Sequence, residues 1–382
     1  MRISQLFTSC VESCLLSVLL CGGLAAQNTW KSPKQGWLYV LDGGGFSRNE
    51  AHILLVDPSN ESVEGRITVG QAPEFTISSD GSKIFVVSGS VDQGEVTVYD
   101  AQSGQRIAST NIQFRVLYTA WSSSATVAVS RDGRWLFVET MRTIAEGVDE
   151  YAVLRFDVGG GAIKPAGRAS LPECGLADLI PIGDGKFELL VHCPFSNATR
   201  QIRFDTNGSV AIYADLELPS RPYNPASGLR EHRPLNTVAV LYRGGGDLTV
   251  LTGSNEVCHF SMQNGTGPCS SLPARMQGRW IPARPWPHSP DGKLIYVGSG
   301  PTISRSQGMA SSIEVIELET MKLLSSIDVS TPFWQIAVSP RGETLYATNP
   351  VTHTILEIDA IARKAVKEIS IPGHPAAIIP VT

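Results

Sequence analysis

The chain has 382 residues, 42% of them hydrophobic, and a formal net charge of −5. That apolar share is ample for a large core. The acidic balance gives no support to nucleic-acid binding, which needs a basic face.

Residues 1–26 read as a secretory signal peptide. Arg2 supplies the basic start, Leu15 to Leu20 is an apolar run, and Gly22, Gly23, Ala25 and Ala26 are the small residues before cleavage near Ala26. The run is far shorter than the ~20 residues of a membrane span, so no span is expected. Leu20 stands where a small residue would precede a lipidated cysteine, which argues against an anchor at Cys21. Export implies a periplasmic location. Residues 27–36 then form a short N-terminal segment, and residues 37–382, in which no linker is visible, form one domain.

From Trp37 onward the chain is a series of short β-runs. Each is rich in β-branched and aromatic residues and bounded by Pro, Gly, Asn or Asp. Two marks recur in fixed order. The first is a polar turn between the first and second strands of a unit: Ser79-Asp80-Gly81, Arg131-Asp132-Gly133, Gly183-Asp184-Gly185, Pro290-Asp291-Gly292 and Pro340-Arg341-Gly342, with Arg243 to Asp247 as a blurred copy. The second closes the third strand, at Val56-Asp57, Tyr99-Asp100, Phe156-Asp157, Phe204-Asp205 and Ile358-Asp359. A period near 50 residues with four strands per unit predicts an all-β fold, a β-propeller of four-stranded antiparallel blades. Full units begin near Pro73, Thr119, Cys174, His232, Trp280 and Phe333. The runs from Trp37 to Val69 and the final PAAIIPVT make a seventh blade shared by the two ends of the chain. Such sharing closes the ring and removes open sheet edges.

Four cysteines follow the signal: Cys174, Cys193, Cys258 and Cys269. Each pair flanks a hairpin turn almost symmetrically, so antiparallel pairing sets Cys174 opposite Cys193 and Cys258 opposite Cys269. An exported chain favours disulfides at both, with buried reduced thiols as the alternative.

Sites of chemistry are sparse. No Gly-x-Ser-x-Gly elbow occurs, and Ser122 to Ser124 read as a solvated connection. His52, His192, His232, His259, His288, His353 and His374 are scattered, without the spacing of a metal motif. The clusters Gly43 to Gly45, Gly159 to Gly161 and Gly244 to Gly246 lie between strands and open no helix that would hold a phosphate. No catalytic, cofactor-binding or metal residue is therefore assigned. The longer loops Gly43 to Ala51, Gly89 to Gly94, Met141 to Glu150 and Gly298 to Ser312 fall on one face, which makes that face the expected binding surface. It carries Phe46, Arg48, Arg142 and Arg305. Trp286 suits either a partner surface or the core, while Trp280 and Trp334 are expected in the core.

Several passages resemble the heavy subunit of methylamine dehydrogenase and its aromatic amine relatives. They are ECGLADLIPIGDGKFELLVHC, the Arg279 to Val297 passage, the terminal IPGHPAAIIPVT, and YVLDGGGF, where Phe46 follows Asp42 by four positions. The resemblance implies a periplasmic propeller paired with a small cysteine-rich light subunit that carries tryptophan tryptophylquinone. It also implies a primary amine substrate and a periplasmic electron acceptor, with Phe46 lining the substrate channel and the catalytic base on the partner. Two readings of other classes stand beside it: a stand-alone propeller that binds without turnover, and a lactonase-like hydrolase.

Overall fold

The computed structural model describes residues 30–43, 51–89, 93–112, 115–116, 126–145, 148–172, 174, 177–182, 187–193, 198–216, 237–244, 247–252, 256–262, 265–271, 287–299 and 310–382. The signal segment, Phe46, Arg48, Arg305, Trp280, Trp286 and Ser122 to Ser124 lie outside them. Every regular element among the described residues is a β-strand, and none of them is a helix long and apolar enough to cross a membrane.

The strands form antiparallel meanders in chain order, most of them four-stranded. One sheet is composite: Pro375–Pro380 pairs with Leu38–Asp42, which is followed outward by Ala51–Asp57 and Ser62–Gly70. Gly244 and Asp247 face each other across the blurred turn, so that hairpin also forms. In the sheet containing Leu294–Ser299 the innermost position shows, among the described residues, the bridge from His288 to Ile295. One of the sequence expectations is corrected. The last sheet does begin near Phe333, at Ile336–Val338, while Phe333 itself ends the long Lys322–Phe333 strand and pairs with Ala310. Met141 to Glu150 is not a loop, because Trp135–Ala145 and Val148–Asp157 stay paired almost to their tip, joined there by an Arg142–Glu150 ion pair at 2.7 Å.

Both sequence marks have a physical cause. In the first turn a serine two positions before the aspartate donates to it: Ser78 to Asp80, Ser130 to Asp132, Ser289 to Asp291. The same hydroxyl accepts the N–H five residues on, at Lys83, Trp135 and Leu294. The glycine that follows has φ between +67° and +77° at Gly81, Gly133, Gly292 and Gly342, a conformation most side chains resist. The aspartate of the second mark accepts N–H groups of the turn behind it, as Asp57 does from Ser59, Asp205 from Asn207 and Ser209, and Asp359 from Ile361 and Ala362. Register slips by one residue just before this position in six sheets: at Leu55/Val56, Val98/Tyr99, Arg155/Phe156, Arg203/Phe204, Val315/Ile316 and Glu357/Ile358. The recurrent bulge bends each outer strand and makes it a poor template for a foreign strand.

Sheets pack face to face, and the two-residue period sends alternate side chains to opposite neighbours. Leu38 and Val40 meet Tyr346 and Ile355 on one side, while Tyr39 and Leu41 meet Phe75 and Val86 on the other. Polar fastening is concentrated at Arg155, which is 4% exposed. Its guanidinium lies 4.4 Å from the Trp135 ring and 4.5 Å from the Phe204 ring. It donates to both carboxylate oxygens of Glu188 and to the carbonyls of Ala166 and Asp205, joining two sheets. Trp30 ties the N-terminal segment to the same framework, donating from Nε1 to the Ala101 carbonyl at 2.9 Å.

Candidate functional site

Turns between first and second strands, and between third and fourth, lie together at one end of the molecule. Ser79 donates to the Arg131 carbonyl of the next sheet, and Lys83 to that of Val158. There a cleft of about 600 Å³ is lined by Asp80, Lys83, Asp132, Arg134, Asp157 and Lys164. Its carboxylates are engaged locally. Hydrogen bonds, Ser78 Oγ foremost, hold Asp80 down to about 2, and Arg134 pairs with Asp157 at 3.3 Å.

The opposite end carries a cluster with more chemical reach, at the seam between the composite sheet and the Ile336–Val338 sheet. Asp42 ends its strand with its side chain almost buried and accepts the His374 N–H at 2.7 Å. That approach requires Gly373. Its φ is +133°, and a Cβ there would fall 1.9 Å from Asp42 Oδ1. His374 Nδ1 lies 2.9 Å from the Pro350 carbonyl, and His353 Nδ1 bonds the Gly373 carbonyl. The two rings lie 4.4 Å apart, centroid to centroid. Behind them His52 Nδ1 accepts from Arg66 Nη2 at 2.8 Å, and both groups stand 3.8 Å from Asp42 Oδ2.

These bonds fix the tautomers. A carbonyl only accepts, so His353 and His374 carry their proton on Nδ1 and present Nε2 as the basic nitrogen. His52 receives a hydrogen on Nδ1 and so carries its own on Nε2. The cluster thus sets two imidazoles close to a carboxylate and to a guanidinium that is 53% exposed.

A second polar cluster is fully enclosed. Glu139 is 0% exposed, and its Oε2 accepts the Ala177 N–H at 2.9 Å. Burial pushes its carboxyl well above the usual carboxylate range, with the charge of Asp178 adding to the shift and the Ala177 N–H opposing it.

The sequence-based candidates divide as follows. Cys174–Cys193 and Cys258–Cys269 are disulfides, with Cα atoms 5.1 Å and 4.1 Å apart. Arg142 sits on the long hairpin, paired with Glu150. Trp334 is half-buried rather than a core residue, its N–H donating to the Thr348 carbonyl. Of the scattered histidines, His353 and His374 meet, and His52 is linked to them through Asp42. Sequence reasoning missed this convergence, although Gly373-His374-Pro375 and Asp42 at a strand end were both in view. Among the described residues no group of three or more His, Cys, Asp or Glu side chains is arranged to hold a metal ion.

No protein-family model and no curated protein matches the chain in sequence. Solved structures do match it in fold. A periplasmic gluconolactonase of Pseudomonas aeruginosa superposes with a TM-score of 0.63 at 18% identity, over 91% of this chain and 99% of that one. A putative 6-phosphogluconolactonase of Bacteroides fragilis gives 0.56 at 14% identity, over 91% and 98%. The β-propeller domain of a Myceliophteria thermophila protein gives 0.55 at 16% identity, over 78% and 86%. At these identities the likeness is one of fold alone: the chain is an all-β protein of the propeller type, built from four-stranded antiparallel sheets.

Proposed function

We propose that the chain is an exported seven-bladed propeller, closed by the pairing of its first and last strands, that opens a small lactone at the His353–His374 cluster. The observation that carries this reading is the pair of adjacent imidazoles whose Nδ1 hydrogens are bound to backbone carbonyls, which makes Nε2 the basic nitrogen of each ring. The whole-length likeness in fold to two proteins described as lactonases supports it.

In this reading His353 Nε2 takes a proton from water as the oxygen of that water adds to the lactone carbonyl. The ring C–O bond then breaks, and the imidazolium returns the proton to the departing ring oxygen. The product is a hydroxy acid, with one water consumed. Arg66 supplies positive charge for the developing oxyanion and the product carboxylate. Asp42 keeps His374 in place through its backbone. A pH-stat assay of the purified mature chain on five- and six-membered sugar lactones tests the reading, with acid release above the spontaneous rate as the expected result. Release at the spontaneous rate on every lactone would leave a propeller that binds without turnover.

The Cys174–Cys193 hairpin favours a second reading, since it matches the disulfide hairpin of the amine dehydrogenase heavy subunits that the sequence resembles. Under it the chain scaffolds a small cysteine-rich light subunit whose tryptophan tryptophylquinone oxidises primary amines and passes electrons to a periplasmic acceptor. Phe46 would then line the channel. Copurification of a quinone-bearing partner from the periplasm distinguishes this reading from the first.

A further inference from the structure

Two oxygens buried between sheets are unmatched. Thr126 is 1% exposed and Glu139 0%, and neither Thr126 Oγ1 nor Glu139 Oε1 makes a hydrogen bond among the described residues. They belong to one place. Val127 pairs with Val138, and the Glu139 N–H donates to the Thr126 carbonyl at 2.8 Å, so the pairing runs on by one residue and sets Thr126 opposite Glu139. Residues opposite each other on adjacent strands share a face, with Cβ atoms about 4.5–5.5 Å apart. Buried oxygens in native proteins are rarely left without partners, and an internal water is the usual answer.

We propose that Thr126 Oγ1 and Glu139 Oε1 hold one buried water molecule between the Val127–Val129 strand and the neighbouring sheet that begins at Asp178. The two groups offer both donor and acceptor capacity: the Thr126 hydroxyl does either, and a protonated Glu139 donates. A metal cation suits the place poorly. One carboxylate and one hydroxyl fall far short of the six to eight oxygens a calcium ion takes, and the Ala177 N–H already points at the same carboxyl group. The site is separate from the His353–His374 cluster, and its test does not depend on any catalytic activity.

A high-resolution crystal structure of the mature chain tests it. The expected result is a water peak about 2.6–3.2 Å from both oxygens. No peak, or a peak with the anomalous signal of a metal, overturns the proposal. In solution, Thr126→Val and Glu139→Leu each lower the melting temperature, and the double variant loses less than the sum, because either change alone releases the shared water. Fully additive losses count against it. Should Glu139→Leu fail to fold, Thr126→Ser and Thr126→Val decide the matter crystallographically. Serine retains the peak and valine removes it, and a peak that survives in the valine variant overturns the shared site.

Discussion

His353 and His374 face each other with ring centroids 4.4 Å apart, and each is anchored through Nδ1 to a backbone carbonyl of the other's neighbourhood: His353 to Gly373 and His374 to Pro350. The arrangement is reciprocal. Each ring is held by the turn that presents its partner, so the two imidazoles are positioned by backbone rather than by flexible side chains, as the proposed general-base role would require.

Gly373 is the keystone of that geometry. Gly373→Ala places a Cβ on Asp42 Oδ1 and demands a positive φ of an alanine. The expected loss is on the order of 1–3 kcal/mol, read as a lower denaturation midpoint. An unchanged midpoint would mean that the turn has another conformation.

Arg155 joins two sheets with every donor engaged. Arg155→Ala leaves Glu188 and two carbonyls without their donor and removes the cation between two aromatic rings. The expected cost is about 3 kcal/mol in urea unfolding, with Arg155→Lys recovering only part of it, since an ammonium lacks the planar fork.

Glu139 makes stability depend on pH in a direction opposite to most carboxyls. Its folded-state pKa is raised above the ordinary 4.5, so the native state holds the proton more tightly than the unfolded chain does. Its contribution is complete below about 4.5 and is lost as pH rises through the folded value. Glu139→Gln removes that loss. Thermal melts from pH 4 upward should therefore fall less steeply for the variant than for the parent, and parallel curves would contradict the assignment.

The Cys174–Cys193 bridge closes a 19-residue separation. Loops of this length are stabilised by about 3 kcal/mol. Cys174→Ala with Cys193→Ala should lower stability by that order, as measured by urea unfolding under non-reducing conditions, and an equal midpoint would remove the bridge from the account of stability.

Much of this fold was legible because it rests on local chemistry. The aspartates at Asp80, Asp132 and Asp291 organise turns within five residues, and the cysteines lie across their own hairpins, so sequence spacing carries the information. The composite sheet was legible for a different reason: three runs at one end lacked a fourth, and one run at the other end lacked companions. The Met141 to Glu150 stretch misled because polar residues suggest a loop, whereas cross-strand charge pairing accompanies strand pairing that runs to Ala145 and Val148. The histidine cluster was hidden by distance along the chain. Asp42 and His374 are 332 residues apart, and only closure of the composite sheet brings them together. Arg155 was equally silent, since nothing local marks an arginine that two aromatic rings will cover.

The most direct test is the rate of lactone opening by the His353→Asn variant beside the parent chain, with circular dichroism to establish that both are folded. If His353 is the base, kcat falls by roughly 10²-fold or more while the melting curve is little changed, because the asparagine amide nitrogen takes the place of Nδ1 toward the Gly373 carbonyl and asparagine tolerates the positive φ of this position. A folded variant that opens lactones at the parent rate would contradict the placement of the chemistry at this cluster.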